Sequence, residues 1–338
     1  MSPAVELFKT KIMLRKISGT IIAALLSASA TSVSAVVPRV VADITPIYSL
    51  AARVMDGVGV PSLIIQHGAS PHGYLLRPSA AVALEKADLV FWVTEGLTPW
   101  LKSRLETLAG KAHVIKLMEV DGAVRLSFRQ GATFANHDDH QGYEEHEDYQ
   151  RHGDVDPHGW LDPENGKIWL DVIASELSEI DPANAGIYAQ NAAVGKAEIS
   201  EVAAQIDSTL ASVRGVNFIV FHDAYQYFEK RFGISASGSI SLGDASAPSP
   251  ARVAKIRAKV AELGISCVFS EPQYSPGLVT SVVGDADIRR GTIDSLGAEL
   301  ELGIAFYTKL LESIAKEIAA CGKDLVMADV AQVLVYNV

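Results

Sequence analysis

Short apolar runs alternate along the chain with longer segments of helical periodicity. The runs of strand length are Val40–Ile44, Ser62–Ile65, Leu89–Val93 and His113–Ile115 in a first half, and Asn217–Phe221, Ser266–Ser270 and Arg289–Ile293 in a second. Such alternation is typical of parallel sheets covered by helices. The pattern therefore predicts an α/β protein with two lobes, each built on a mainly parallel sheet flanked by helices.

Helix boundaries are marked by proline and glycine. A capping side chain precedes a proline at Asp162-Pro163, Asp181-Pro182, Ser249-Pro250 and Ser275-Pro276, which predicts four helix starts. Gly264 and Gly322 follow helical patterns and are expected to be left-handed caps. From Pro182 to about Val213 apolar residues recur every three or four positions without a proline, which predicts one long, rigid helix joining the lobes.

The first 35 residues have the pattern of a cleaved export signal. A basic stretch precedes the apolar run Ile17–Ala30, and Val33-Ser34-Ala35 fits a small-x-small cleavage site. Translation would start at Met1 or Met13. We therefore expect a periplasmic protein with four parts: a signal peptide (1–35), an N-terminal lobe (36–180), a linking helix (181–214) and a C-terminal lobe (215–338).

Charge and cysteine content narrow the possible partners. With 40 acidic and 29 basic residues, the net charge of −11 argues against nucleic acid or an anionic membrane and suits a cation. The two cysteines, Cys267 and Cys321, form no C-x-x-C motif, which makes a cysteine zinc site or a redox role unexpected. In an exported protein the pair predicts one disulfide, with two buried free thiols as the alternative.

Five of the nine histidines lie in the acidic stretch Asn136–Asn165. Four of them stand among carboxylates without apolar anchors: His137, His140, His146 and His152. This loop, residues 136–155, is predicted to be mobile and to bind metal weakly, or else to be a solvated spacer. The fifth, His158, stands in the ordered frame DPHGWLDP.

Three histidines share a position at the ends of predicted strands or before a capped helix. His72 lies in GASPHGY, His158 precedes Asp162-Pro163, and His222 follows the strand NFIVF. Ligands of open α/β sheets bind in such loops, and imidazole is a preferred ligand of zinc. We expect the three to converge in the cleft between the lobes.

Other polar residues have weaker signals. Asp294, after the last predicted strand, is expected to be a fourth ligand or a helix cap, with water as the other candidate for the fourth position. Glu271 is the one strand-end carboxylate that a hydrolase could use as a general base, although a structural role is favoured. His67 and His113 lack such framing and are read as structural or surface residues.

The segments GASPHGYLLRPS, DPHGWLDP, VFHDAYQYFEKRFG, FSEPQY and GTIDSLG occur in this order and cover nearly all of the chain after residue 35. Together they resemble the motifs of metal-binding solute-binding proteins of bacterial ABC transporters, cluster A-I, and above all the high-affinity zinc-uptake proteins of Gram-negative bacteria. The resemblance implies Zn²⁺ ligands at His72, His158 and His222, with Asp294 as the fourth ligand or a close neighbour. Cys267 and Cys321 resemble a disulfide of the zinc branch.

The resemblance also implies a function. We expect a monomeric, non-enzymatic carrier that captures Zn²⁺ and delivers it to a membrane permease. The alternatives are a manganese- or iron-binding member of the same family, a zinc-dependent hydrolase, and an adhesin or metal buffer. Manganese members typically carry a glutamate at the position of His222, which favours zinc, and the chain lacks the H-E-x-x-H motif of a metallohydrolase.

Overall fold

The computed structural model describes residues 37–129, 131, 133–134, 155–243, 245–284 and 288–335. For Ala261 and residues 323–335 it describes the backbone only. The expected export signal and His137, His140, His146 and His152 lie outside the described residues. Within these ranges, no helix combines the length and the apolarity that crossing a membrane requires.

Two four-stranded parallel sheets form the framework, as the sequence predicts. The first consists of β1 (Val40–Ala42), β2 (Ser62–Leu63), β3 (Leu89–Trp92) and β4 (His113–Lys116), in the order β2-β1-β3-β4. The second consists of β5 (Phe218–His222), β6 (Gly238–Ser241), β7 (Cys267–Ser270) and β8 (Arg289–Thr292), in the order β6-β5-β7-β8. Strand β6 was not predicted, because its residues, Gly-Ser-Ile-Ser, contain only one large apolar side chain.

Nine helices are described around these sheets: α1 (Thr45–Val54), α2 (Pro78–Lys86), α3 (Pro99–Leu108), α4 (Pro163–Ile180), α5 (Ala185–Leu210), α6 (Gln226–Phe232), α7 (Pro250–Glu262), α8 (Pro276–Val283) and α9 (Phe306–Val335). The predicted joining helix is α5, between two short 3-10 turns, Pro182–Asn184 and Ala211–Val213. Its 26 residues span about 39 Å. It packs on α1, α4 and α9 through buried residues such as Tyr188 and Ile206.

The predicted caps are confirmed in part. Asp162 accepts a hydrogen bond from the amide of Glu164, and Ser249 accepts one from the amide of Arg252. Asp181 and Ser275 precede their helices without a side-chain cap to the helix start. Gly264 ends α7 with φ +59°, as predicted.

The prediction for Gly322 is wrong, because it lies inside α9 rather than at its end. A Cβ atom at this position would stand 2.2 Å from Cγ1 of Val213. Glycine is therefore needed here for close packing of the helix and not for a left-handed turn. The neighbouring Cys321 forms the predicted disulfide with Cys267, with Cα atoms 5.9 Å apart, so that α9 is fixed to β7.

Candidate metal centre

The three histidines converge, as the sequence predicts. His72 lies on the loop between β2 and α2, His158 directly precedes the short turn Gly159–Leu161 that leads to α4, and His222 is the last residue of β5. One ring nitrogen from each lies within 4.8 Å of the other two. Ligands of a tetrahedral zinc ion at 2.0–2.1 Å stand about 3.4 Å apart, so a small contraction suffices to bind one. Among the described residues this is the one cluster of its kind.

His158 is held for coordination through its Nε2 atom. Its side chain is 1 % exposed, and Nδ1 lies 2.7 Å from Oδ1 of Asp156. The Nε2 atom is buried and has no hydrogen-bond partner among the residues that the structure describes. Burial, with a smaller contribution from His222, lowers the pKa of His158 well below its usual value. A neutral ring that donates Nδ1–H to Asp156 presents the lone pair of Nε2 to a metal.

His222 is oriented in a similar way by a carboxylate. Its Nδ1 lies 2.6 Å from Oε1 of Glu271, and both side chains are buried. Burial opposes a charge on His222, but attraction and hydrogen bonding from Glu271 outweigh it, so the pKa of His222 is raised. Glu271 therefore orients the ring of His222. This is the structural role that the sequence favours for Glu271, and not that of a general base.

His72 is the least buried of the three, and contacts to its neighbours fix its loop. The indole nitrogen of Trp100 donates to the carbonyl of Pro71 at 2.8 Å. The hydroxyl groups of Ser70 and Tyr274 lie 3.3 Å apart, which joins this loop to the second half of the chain. The backbone around His72 is therefore tied to both halves.

Asp294 lies outside the three-histidine cluster. One of its oxygens accepts hydrogen bonds from the amide of Leu296 at 2.8 Å and the side chain of Gln273 at 2.9 Å. The other accepts one from the amide of Ala298 at 2.5 Å. These contacts fix the loop after β8 and do not cap a helix, because the next described helix begins only at Phe306. The helix-cap alternative is therefore wrong, and coordination by Asp294 stays a prediction.

The remaining described histidines have other partners. His113 is 64 % exposed and lies 2.9 Å from a carboxylate oxygen of Glu176. His67 packs edge-on against the ring of Phe306. Both contacts fit the structural or surface role expected of these residues.

Asp156, the first residue of DPHGWLDP, is a site residue that was not predicted from the sequence. It is 1 % exposed and also accepts a hydrogen bond from the amide of His158 at 3.0 Å. The signal was its position two residues before a histidine in DPHGWLDP, where a side chain can bond the backbone two residues on.

Comparison with known proteins identifies the group to which this arrangement belongs. The family model of the periplasmic zinc-uptake complex component A, ZnuA, matches residues 40–321. The high-affinity zinc uptake system protein ZnuA of Brucella abortus strain 2308 is 41% identical over 303 residues, which cover 83% of this chain and 91% of the relative. The protein of the same name from Paracoccus denitrificans is 38% identical, over 90% of this chain and 98% of its own.

A solved structure supports the fold. A crystal structure of ZnuA superposes with a TM-score of 0.70 at 21% identity, over 85% of this chain and 100% of the other. The extent of the family match and the identity to the curated relatives lead to one conclusion: the chain belongs to the ZnuA family of periplasmic zinc-uptake components.

Proposed function

We propose that the protein captures Zn²⁺ in the periplasm through His72, His158 and His222 and releases it to an ABC permease. The observation that carries this proposal is the set of three ring nitrogens within 4.8 Å of one another. One chain supplies all three, so a monomer is sufficient for binding. The family to which the chain belongs consists of transport components and not of enzymes.

Preorganisation of two ligands supports tight binding. Asp156 and Glu271 hold the rings of His158 and His222 before metal arrives. Carboxylates in this position fix the tautomer of a ligating histidine and raise its basicity. His72, the most accessible of the three, completes the site from the N-terminal lobe. We place the boundaries of the lobes and the linking helix at 36–180, 181–214 and 215–338.

The donor set favours zinc over manganese, and the match to the zinc-uptake family favours zinc over iron. Three imidazole nitrogens suit zinc, whereas manganese is better served by carboxylate, carbonyl and water oxygens. The nearest carboxylates, Asp156 and Glu271, are engaged by histidine rings. A hydrolytic role has no support, because the carboxylate nominated as its base orients a ligand instead.

The test is zinc binding by single variants, measured by competition with a chelator of known affinity. His72→Ala, His158→Ala and His222→Ala should each lose most of the high-affinity binding, because a three-nitrogen site loses a third of its protein donors. His113→Ala is the matched control, since it removes an exposed histidine that pairs with Glu176. Asp294→Ala decides whether that residue is a ligand. If a histidine variant of the triad keeps wild-type affinity and stoichiometry, its residue is not a ligand.

Delivery to a permease needs a test in cells. A strain that lacks its own zinc-binding component, but has the matching permease, should grow under zinc chelation with the wild-type protein and not with His222→Ala. Growth that is independent of the permease would contradict the transport role.

A further inference from the structure

Residues 124–129, 131 and 133–134, which we call the strap, follow the first sheet in the chain, and the last of them bond to the second half. Thr133 forms an antiparallel bridge with Gly238 of the edge strand β6. The amide of Phe134 donates to the carbonyl of Ser237 at 3.0 Å. The strap therefore connects the chain of the N-terminal lobe to the edge of the second sheet.

Arg129 is the main polar anchor of the strap. Its guanidinium donates to the carboxylate of Asp223, with Nε at 2.9 Å, and to that of Glu229, with Nη1 at 2.6 Å. The three side chains are 16 %, 6 % and 3 % exposed. The guanidinium also lies 3.8 Å from the centre of the Phe134 ring. One cation on the strap thus holds two buried carboxylates of the second half.

One of these carboxylates belongs to the residue next to a metal ligand. Asp223 follows His222 in the chain, at the point where β5 ends. The amide of Ala224 bonds back to the carbonyl of His222 at 2.9 Å, which makes a tight turn. Because Arg129 holds Asp223 within this turn, it restricts the backbone from which the His222 ring projects.

The start of the strap reaches the second ligand. The carbonyl of Leu126 accepts a hydrogen bond from the amide of Asp156 at 2.8 Å. The Tyr227 hydroxyl accepts from the amide of Leu126 at 2.9 Å and donates to the carbonyl of Asp156 at 2.7 Å. The side-chain amide of Gln226 donates to the carbonyl of Ser127 at 3.0 Å and to the Asp156 carboxylate at 3.1 Å. Asp156 in turn orients the ring of His158.

We propose that Arg129 is a positioning residue for the metal centre, which sets the geometry of His222 through Asp223 and that of His158 through the strap and Asp156. The inference rests on the proposed zinc-binding function. Arg129 does not touch the metal, and its effect is on the placement of two ring nitrogens. Fixed placement lowers the reorganisation that binding requires, and so raises affinity.

The experiment compares Arg129→Met and Arg129→Lys with wild type, with Zn²⁺ alone for affinity and Co²⁺ as a spectroscopic probe of ligand geometry. Arg129→Met should weaken zinc binding roughly 10-fold or more and change the visible spectrum of bound Co²⁺. Arg129→Lys keeps the charge and should recover part of both. The control is Arg53→Met, because Arg53 is a similarly buried arginine, 14 % exposed, that pairs with Glu198 on the joining helix.

Loss of two buried ion pairs can prevent folding of Arg129→Met. In that case Gln226→Leu replaces it, since this change removes the hydrogen bonds to Ser127 and to Oδ2 of Asp156, while Oδ1 of Asp156 keeps its contacts to His158. Folded Arg129→Lys and Gln226→Leu proteins with wild-type zinc affinity and Co²⁺ spectra would overturn the proposal. Equal weakening by Arg53→Met would also overturn it, because the effect would then be general destabilisation. A wild-type protein that does not bind zinc would instead refute the proposed function itself.

Discussion

Glu271 and His222 stand at the ends of two adjacent parallel strands, β7 and β5, with a carboxylate oxygen 2.6 Å from the imidazole Nδ1. The two residues are 49 positions apart in the chain. Because Nδ1 faces the carboxylate, Nε2 is the ring atom of His222 that is available to a metal.

We expect Glu271→Gln to weaken zinc binding by about 10- to 100-fold, because an amide holds the ring less firmly and withdraws the charge that makes Nε2 basic. The measurement is a chelator competition at neutral pH. Glu176→Gln is the matched control, since it removes a carboxylate 2.9 Å from the exposed His113. Equal affinities in Glu271→Gln and wild type would mean that the contact does not support coordination.

Zinc affinity should rise with pH through the neutral range. Burial raises the pKa of Asp156 to about 7. Below that value its proton bonds to Nδ1 of His158 and leaves a hydrogen on Nε2, which must be lost before metal binds. The pKa of His222 is raised as well, despite its burial, because of Glu271, so a second proton competes with zinc.

The stability of the metal-free protein should change in the opposite direction. Both groups have a higher pKa folded than unfolded, so their contribution is fully present below the unfolded values and is lost as pH rises through the folded ones. Burial also raises the pKa of Asp43 to about 7, which adds to this trend, whereas the lowered pKa of His158 opposes it as pH rises through about 6.5. Chelator competition and urea unfolding between about pH 5.5 and 8 test both trends. Affinity that does not change with pH, after correction for the chelator, would contradict this assignment of protons.

Removing the disulfide should destabilise the protein without altering the donor set. The Cys267–Cys321 bond spans 54 residues, and the chain-entropy model gives about 4 kcal/mol for such a loop. The double variant Cys267→Ala/Cys321→Ala should lose a comparable free energy of unfolding in a denaturant titration. Labelling of the unreduced, denatured wild-type protein should find no reactive thiols, and two per chain would show that the bond does not form.

Deletion of Asn136–Gly153 should leave one tight zinc site and remove additional weak binding. The triad lies outside the deleted segment, and the four loop histidines have no apolar anchors in the sequence to order them. Isothermal titration of the deleted and complete proteins measures both classes of site. If a folded deletion protein loses the tight site, the loop supplies a primary ligand.

Gly322→Ala should lower stability, whereas Gly186→Ala should raise it. A Cβ at Gly322 would clash with Val213 at 2.2 Å, while one at Gly186, near the start of α5, meets no heavy atom within 4 Å. The open position should gain roughly 0.5–1 kcal/mol from the better helix propensity of alanine. Thermal unfolding of the two variants provides the comparison, and a Gly322→Ala protein as stable as Gly186→Ala would contradict the packing argument.

Local patterns were sufficient to predict much of the fold and the histidine triad. The carboxyl ends of parallel strands lie at one edge of a sheet. The positions of His72 and His222 after apolar runs therefore predicted that both would lie at such an edge. The partners of these histidines were harder to predict. The pairing of Glu271 with His222 depends on which strands are neighbours, which the sequence pattern does not specify. Gly322 was misread because a helix-packing glycine and a capping glycine look alike along a chain.

The strap was not anticipated, since Arg129 and Thr133 lie in a segment without clear periodicity. Their contacts join residues about 100 positions apart, such as Arg129 and Glu229. Strand β6, to which the strap pairs, was missed for the related reason that its small residues give a weak strand signal.

The bridge between Thr133 and Gly238 has a consequence for association between molecules. β6 is the outer strand of its sheet, and an uncovered outer strand offers backbone groups to which a second chain can add. Thr133 and Phe134 occupy part of that edge from within the same molecule. A shortened loop that retained these two residues would keep the edge partly covered, whereas a deletion beginning before Thr133 would open it to self-association.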